Sequence, residues 1–192
     1  MAKSVKGTKT EKALLAAFAG ESQARNRYTY FASVAKKAGF EQIAAIFLET
    51  AENEKEHAKR FFKCLEGGEA EITATYPAGI ICDTAANLEA AAAGERLEWT
   101  KLYKDAANIA RSEGFPEVGT QFDEIAKVEA NHEKRYMKLL KNIKEGKVFR
   151  KDAVVKWHCL NCGYVSEGAE APKTCPACAH PQAYYQVLSE NY

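Results

Sequence analysis

The sequence predicts a mainly α-helical protein, a four-helix bundle followed by a small metal-binding β domain at the C-terminus. Three observations lead to this prediction. Four long segments repeat apolar residues at helical spacing, each apolar stripe is interrupted near its middle by acidic residues, and four cysteines lie close together after the last segment. The 192 residues suffice for one domain of ordinary size and a small second one.

The composition is that of a water-soluble globular protein, with 46% hydrophobic residues, 28% charged residues and a net charge of +1. No apolar run approaches the roughly 20 residues that a membrane span needs, and the first residues lack the pattern of a signal peptide. Lysines near the start have no aromatic or arginine-rich surroundings, which indicates a solvated tail and not a nucleic-acid site. We therefore expect a cytoplasmic protein that binds neither membranes nor nucleic acid.

The first two helices are predicted to form an antiparallel hairpin. The first begins near Thr8, because Thr8 and Glu11 form a capping-box pattern, and it ends near Gly39. The second runs from about Phe40 to the Gly67-Gly68 pair. A link of one or two residues around a glycine leaves room only for an antiparallel return.

A second hairpin is predicted after a long connection. The third helix starts near Asp83, a favourable N-cap residue, and stops at Gly114. The fourth begins at Pro116, which suits a first helical turn, and fades near Ile143. The connection of roughly 15 residues can stretch to about 50 Å, enough to travel the length of the bundle. Two hairpins joined by such a crossover have the ferritin-like connection.

The acidic residues that interrupt the four stripes lie at matched depth. Each helix contributes one glutamate about 10 to 14 residues from its start, so the four can meet at one level of the bundle. The second and fourth helices add a histidine three residues later, on the same face as the glutamate. The third helix adds a fifth carboxylate. The predicted donor set is Glu21, Glu54, His57, Glu95, Glu98, Glu129 and His132.

These donors predict a site for two metal ions. Five buried carboxylates would repel one another and become protonated unless cations compensated their charge. Carboxylates with one imidazole per ion suit iron or manganese, and this arrangement is typical of di-iron and di-manganese bundles. Tyr28 lies seven residues after Glu21, where its hydroxyl can bond a ligand carboxylate or simply pack in the core. Tyr103 lies further from its stripe and is the weaker candidate.

Cys159, Cys162, Cys175 and Cys178 form two C-x-x-C pairs. Without secretory features, this spacing indicates a tetrahedral four-thiolate metal site and not disulfides. Zinc would make the site a structural ribbon and iron would make it a one-electron carrier, since both metals accept four thiolates. A unit this small has too little core to fold without the metal. The predicted boundaries are residues 1–146 for the bundle, 147–155 for a linker and 156–192 for the cysteine domain.

Five stretches of the chain together resemble the rubrerythrin family over essentially its whole length. One departure is Ala179, where free rubredoxins usually have glycine after the last cysteine. The matching stretches are Gly20–Tyr28, Glu54–His57, Gly94–Glu98, Glu129–Arg135 and the Cys-x-x-Cys-Gly-Tyr and Cys-Pro-x-Cys pair of a rubredoxin-like domain.

The resemblance implies a non-haem di-iron peroxidase that reduces hydrogen peroxide to water in oxidative-stress defence. Electrons would pass through the rubredoxin-like four-cysteine iron, which gives three iron ions per subunit. The implied partners are an electron-donor oxidoreductase, NADH-linked, or a rubredoxin, and a second copy of the chain in a homodimer. Two other hypotheses stay open from the residues alone, a ferroxidase or iron-handling protein on the same bundle and a zinc-ribbon interaction module.

The resemblance also implies a role for each donor. Glu98 and His57 would be alternative ligands of one iron, the carboxylate in the oxidised state and the imidazole in the reduced state. Tyr28 and Tyr103 would be hydrogen-bond partners of the ligands. The implied bridging carboxylates are Glu54 and Glu129, with Glu21 on one iron and Glu95 and His132 on the other.

Overall fold

The computed structural model describes residues 3–191 and has the predicted architecture, an antiparallel four-helix bundle with a small sheet after it. The third helix of the bundle consists of two α-helical segments joined by a π-helical turn. Within the described part of the chain, no helix is both long and apolar enough to cross a membrane. The helices are α1 (Lys9–Lys37), α2 (Glu41–Phe62), α3 (Thr84–Leu97), α4 (Tyr103–Ser112) and α5 (Pro116–Lys144), with the π turn at Glu98–Leu102.

Local hydrogen bonds set two of the helix starts. The Thr8 hydroxyl accepts a bond from the Glu11 amide at 3.1 Å, and the Glu11 carboxylate accepts one from the Gly7 amide at 2.7 Å. Asp83 accepts a bond from the Ala86 amide at 2.9 Å. Amides near the start of a helix have no partner within the helix, and each of these bonds satisfies one of them. The predicted starts at Thr8 and Asp83 are confirmed.

Two glycines make the tight links within the hairpins. Gly39 has a φ of 80° and Gly114 a φ of 82°, values that a glycine adopts without steric cost. Each lies two residues past the end of its helix and lets the chain reverse at once. The two hairpins are therefore antiparallel, as predicted.

The second helix ends earlier than predicted. We expected it to reach the Gly67-Gly68 pair, but α2 stops at Phe62, and the amides of Cys64 and Leu65 bond carbonyls three residues back. Glu66 instead accepts hydrogen bonds from the Val5 amide at 2.8 Å and the Ser4 hydroxyl at 2.7 Å. This contact with the N-terminal segment, distant in sequence, holds the chain away from the helix axis.

The crossover between the hairpins comprises residues 63–83, all of them described, and contains neither helix nor strand. It is longer than predicted because α2 ends early. Its Tyr76 lies against α1, where the hydroxyl donates to the Ala16 carbonyl at 3.1 Å. The crossover thus has a defined contact with the bundle although it has no regular structure of its own.

The core of the bundle is divided into two apolar clusters with a layer of acidic side chains between them. In one cluster the rings of Phe47 and Tyr136 lie 5.1 Å apart, and in the other Phe61 and Phe122 lie 4.8 Å apart. Aromatic pairs at such distances stabilise a core beyond their buried area alone. Packing on both sides therefore fixes the level of the acidic layer.

The C-terminal domain is an antiparallel sheet with the strand order β2-β1-β3. Its core packs Trp157 and Tyr185 with the buried Cys159 and Cys175, and the partly buried Cys178 packs against this cluster. The strands are β1 (Arg150–Cys159), β2 (Val165–Glu170) and β3 (Tyr185–Val187), and a 3-10 turn at Gln182–Tyr184 precedes β3.

The segment predicted as a linker, 147–155, is mostly strand. Within β1, Arg150 is opposite Glu170 and Val155 is opposite Gly168, with a bulge or irregularity between them. Most side chains in this half of β1 are exposed, so the sequence lacks the alternation by which a strand is recognised. Pairing with β2 forms the strand here, and that partner lies further along the chain.

The sheet packs against the end of the bundle where α1 and α2 are linked. Phe149 stacks on Phe40 with ring centroids 6.1 Å apart and an interplanar angle of 11°. Ala183 lies beside Gly39 in the same link. The cysteine domain is therefore at one end of the bundle, whereas the acidic layer lies between the two apolar clusters.

We expect Ala179→Gly to stabilise the cysteine domain. Ala179 is the one described non-glycine residue with a positive φ, 59°, and it follows Cys178 as Gly163 follows Cys162. A side chain makes this left-handed conformation less favourable by roughly 1 kcal/mol, so the substitution should raise the free energy of unfolding by about that amount. Denaturant titration of the full chain, followed by the absorption of the metal–thiolate site, measures the change.

Gly163→Ala is the reverse substitution at the matching position of the other cysteine turn. Gly163 has a φ of 80°, and no described atom lies within 4 Å of an added Cβ. Only the backbone conformation is then penalised, and stability should fall by roughly 1 kcal/mol. Identical unfolding midpoints for the wild type and both variants would contradict this account.

Candidate metal centres

A layer of buried carboxylates crosses the bundle between the two apolar clusters. α1, α2, α3 and α5 each contribute one glutamate, and all four residues are at most 1% exposed. α2 and α5 each add a histidine one turn later, His57 and His132, with side chains 12% and 5% exposed. The helical repeat places every member on the inward stripe of its helix. The glutamates are Glu21, Glu54, Glu95 and Glu129.

The donor atoms form two overlapping groups. Within each group they lie within 4.8 Å of one another. Two carboxylates belong to both groups, so the arrangement suits two neighbouring ions that share ligands. The groups are Glu21, Glu54, His57 and Glu129, and Glu54, Glu95, Glu129 and His132.

The atoms of these groups converge closely, but no hydrogen bond of regular geometry joins them. Nδ1 of His57 lies 2.9 Å from an oxygen of Glu54 and 2.9 Å from an oxygen of Glu129, yet none of the three has a hydrogen-bond partner among the described residues. The same is true of Nδ1 of His132, 2.8 Å from the other Glu129 oxygen. Buried polar atoms are rarely left unpaired, so the convergence fits cations held between them. Carboxylates with imidazoles suit iron or manganese.

Burial and mutual repulsion make this layer unfavourable as bare anions. Burial raises the pKa of Glu21 well above its usual range, and the charge of Glu129 raises it further. Burial also raises the pKa of Glu95 to about 8. Burial opposes protonation of His57, but Glu129 and Glu54 outweigh it and raise the pKa to about 9. Without a metal, protons must therefore supply the compensating positive charge.

Two tyrosines bond the outer glutamates of the layer. Tyr28 of α1 donates to Oε1 of Glu95 at 2.5 Å, and Tyr103 of α4 donates to Oε1 of Glu21 at 2.5 Å. In each glutamate the second oxygen, Oε2, is buried and has no hydrogen-bond partner in the described chain. The hydroxyls thus fix the orientation of each carboxylate and leave one oxygen for a metal.

The π turn explains why Tyr103 reaches the layer. Tyr103 follows Glu95 by eight residues, whereas Tyr28 follows Glu21 by seven, so regular helical spacing places Tyr103 off the stripe. In the π turn the Tyr103 amide bonds the carbonyl of Glu98, five residues back. The longer hydrogen-bonded turn takes up one extra residue and returns Tyr103 to the inward face of the helix. An unbroken α-helix would place Tyr103 off the inward stripe, which is why the sequence pattern makes it the weaker candidate.

The inserted residue is visible in the sequence. Gly114 follows Glu95 by 19 residues, whereas Gly39 follows Glu21 by 18, although each glycine precedes the next glutamate of the layer by 15. Comparing the two hairpins in this way locates one extra residue in the third helix. The i→i+5 bond of a π turn takes up one residue more than the regular helical repeat.

The structure places Glu98 beside the layer and outside both donor groups, whereas His57 is inside one. Glu98 is half-buried at the start of the π turn, and burial and the charge of Glu95 raise its pKa well above the usual range. The next residue, Trp99, donates its Nε1–H to Glu133 of α5 at 2.6 Å. This bond holds the π turn against α5.

The four cysteine sulfurs meet in the small domain. Sγ of Cys159 lies 3.8 Å from that of Cys178, and Sγ of Cys162 lies 3.7 Å from that of Cys175. All four lie within 4.8 Å of one another, a spacing that fits one tetrahedral metal ion. The backbone amide of His180 donates to the Cys178 sulfur and helps lower its pKa to about 6. Such bonds favour the thiolate form that metals bind.

Known proteins resemble this chain in both parts. A family model described as rubrerythrin matches residues 12–140, and one described as rubrerythrin, rubredoxin-like domain, matches residues 157–186. The rubrerythrin of Porphyromonas gingivalis is 63% identical over 192 residues, covering 100% of this chain and 96% of that protein. Nigerythrin in a mixed-valence state has a TM-score of 0.62 at 28% identity, covering 97% of this chain and 92% of that one. The bacterioferritin of Desulfovibrio desulfuricans has a TM-score of 0.59 at 18% identity, covering 72% and 82%.

The two family matches divide the chain as the two metal centres do. The carboxylate–histidine layer lies in the first match and fits a di-iron site. The four cysteines lie in the second and fit a rubredoxin-type iron. The likeness to bacterioferritin confirms the ferritin-like connection of the helices.

We expect the metal-free protein to lose stability as the pH rises from about 5 to about 9. Glu95, with a pKa raised to about 8, and His57, with one raised to about 9, bind protons more tightly when folded. The stability that they contribute is lost as the pH rises through these values. Glu129 and Glu54 raise the pKa of His132 to about 12 against the effect of burial. His132 therefore changes the stability with pH in the same direction as Glu95 and His57. Thermal unfolding across this range measures the slope.

The metal-loaded protein is the control for this pH dependence. Metals bind deprotonated ligands, so loading should remove or reverse the loss of stability at higher pH. A metal-free protein whose Tm rises between these pH values would contradict the protonation described.

Proposed function

The chain belongs to the rubrerythrin family, an iron oxidoreductase family, and on that premise we propose that it is a non-haem di-iron peroxidase. It reduces hydrogen peroxide to water in oxidative-stress defence in the cytoplasm, with electrons passed through its rubredoxin-like iron. The observation that supports this most is the presence, in one chain, of a buried two-ion donor layer and a separate four-thiolate site. A dinuclear site that turns over needs electrons returned to it, and a four-thiolate iron carries one electron at a time.

The residues of the layer would hold two ions that share ligands. When bound, paired iron ions supply two electrons and Lewis acidity for cleavage of the O–O bond. Glu54 and Glu129 belong to both donor groups and are the proposed bridging carboxylates. Glu21 is proposed to hold one ion, and Glu95 with His132 the other. Burial between the apolar clusters keeps bulk water from these donors.

We assign His57 and Glu98 to the same ion in different oxidation states. His57 shares a donor group with Glu21, whereas Glu98 lies beside the layer on the π turn. Burial and the neighbouring carboxylates disfavour a negative charge on Glu98, so a gain of positive charge on the ion would favour its binding as an anion. Glu98 is therefore the proposed ligand in the oxidised state and His57 in the reduced state.

Tyr28 and Tyr103 keep their protons beside the layer. Burial, with the nearby carboxylates, raises the pKa of both hydroxyls well above the usual range. Each therefore remains a hydrogen-bond donor at neutral pH, Tyr28 to Glu95 and Tyr103 to Glu21. Their proposed role is to keep these carboxylates in one orientation while the charge of the site changes.

The proposed electron donor is a rubredoxin or an NADH-linked oxidoreductase, and the proposed assembly is a homodimer. Apolar side chains cluster around one groove, formed by Tyr30 of α1, Ile80 and Ile81 of the crossover and Leu97 of α3. Ile80 is 79% exposed. Contiguous exposed apolar surface of this kind is typical of protein–protein contacts, and a second copy of the chain is the proposed occupant.

We expect hydrogen peroxide to oxidise the reduced, iron-loaded protein much faster than dioxygen does. Anaerobic stopped-flow spectroscopy, with each oxidant mixed separately, compares the two rates. Faster oxidation by dioxygen would favour a ferroxidase or iron-handling protein on the same fold. A colourless protein with zinc on its four thiolates would favour a structural or interaction module.

Cys175→Ser should leave the dinuclear site loaded but abolish turnover that depends on the electron donor. Cys175 is buried and supplies one of the four sulfurs, in a domain separate from the acidic layer. Metal analysis should show loss of one of three irons, and a single oxidation of the pre-reduced protein by peroxide should remain. Cys82→Ser, which removes a thiol outside the donor groups, is the control. Donor-coupled turnover by Cys175→Ser at the wild-type rate would refute the proposed electron route.

A further inference from the structure

A cavity of about 380 Å³ lies between α1, the crossover and the π turn. Residues Thr73–Pro77 of the crossover form one wall, where Tyr76 is bonded to the Ala16 carbonyl. The remaining lining is mostly apolar and comes from the helices. The apolar helical side chains include Ala13, Ala16, Leu97, Leu102, Ile109 and Phe122.

The cavity reaches the acidic layer through two residues. Tyr103 lines the cavity, and its hydroxyl donates to Glu21. Glu98 lines it as well, at the start of the π turn. A molecule in the cavity is therefore next to the side of the layer that Glu21 and Glu98 form.

The cavity is larger and more apolar than hydrogen peroxide requires. A water molecule takes about 30 Å³ in the liquid, and hydrogen peroxide has only one more oxygen. An apolar cavity of about 150 Å³ is already enough for benzene. A volume of about 380 Å³ therefore accommodates a phenyl or branched alkyl group beside a peroxide. The polar residues that the helices contribute to the lining are Gln23, Arg27, Glu98, Tyr103 and Asp105.

We propose that the protein also reduces organic hydroperoxides whose carbon group is compact and apolar, and that this cavity holds that group. The inference rests on the proposed peroxidase function. The hydroperoxide ROOH takes up two electrons and two protons, its O–O bond breaks, the terminal oxygen leaves as water and the other stays on carbon as the alcohol ROH. The electron donor supplies both electrons through the four-cysteine iron, as proposed for hydrogen peroxide.

Cumene hydroperoxide is a suitable probe because its phenyl and methyl groups match the cavity in size and polarity. Iron-loaded, full-length protein is reduced anaerobically and mixed with cumene hydroperoxide or hydrogen peroxide, and we expect both to oxidise it. Ala16→Leu extends a larger side chain into the cavity and should slow the reaction with cumene hydroperoxide about tenfold, with little change for hydrogen peroxide. Ala19→Leu, on the same helix but outside the cavity lining, is the matched control.

Binding of the product alcohol, 2-phenyl-2-propanol, is a readout that does not depend on turnover. Calorimetry with the iron-loaded protein should detect binding to the wild type and to Ala19→Leu, and loss of binding in Ala16→Leu. Ala13→Leu also fills the cavity and lies one turn earlier on α1, so it replaces Ala16→Leu if that variant does not fold.

Three results would count against this inference. Oxidation by hydrogen peroxide but not by cumene hydroperoxide would overturn it and leave the proposed function standing. Equal slowing of both peroxides by Ala16→Leu would also overturn it, because the cavity would then be a common entry path. Failure of both peroxides to oxidise the wild type would overturn the proposed function, and the inference with it.

Discussion

The fold depends on keeping a layer of carboxylates away from water, between two apolar clusters. Charge at this depth must be matched by cations or protons, and the packing above and below the layer must hold its donors at one level. Two tyrosine side chains contribute both to the packing of the clusters and to the positioning of the donors. Tyr28 packs on Tyr136 in one cluster and Tyr103 packs on Phe61 in the other, while their hydroxyls bond glutamates of the layer. A substitution in the core is therefore also a substitution in the site.

The two hairpins repeat one plan, and their differences make the two ion positions unequal. The position that matches Glu98 in the first hairpin is Ala24, which packs in the apolar core. One inserted residue forms the π turn that starts at Glu98 and brings Tyr103 to Glu21. The side of the layer that includes Glu21 thus has an additional carboxylate, Glu98, and an adjoining cavity. The asymmetry lies in one helix and leaves the shared carboxylates alike.

The sequence predicted what local rules determine. Capping residues gave two helix starts, and the spacing of glutamates and histidines indicated which side chains come together in the two candidate donor groups, because each depends on neighbours within a few turns. The predicted end of α2 was wrong because Glu66 bonds the N-terminal segment, which is distant in sequence. The start of β1 was not predicted because it depends on the pairing of Arg150 with Glu170. Which of His57 and Glu98 joins a donor group, and where a cavity forms, depends on how distant segments pack, and no local pattern contains that information.

The crossover has a further consequence for how such proteins diversify. It provides a wall of the cavity but no member of the described donor groups, and Tyr76 is bonded to the backbone of Ala16 and not to its side chain. On the proposed function, residues 73–77 can therefore change to suit different molecules while the donor groups of the layer are inherited unchanged. Exchange of this segment between relatives offers a route to retarget the catalyst without rebuilding it.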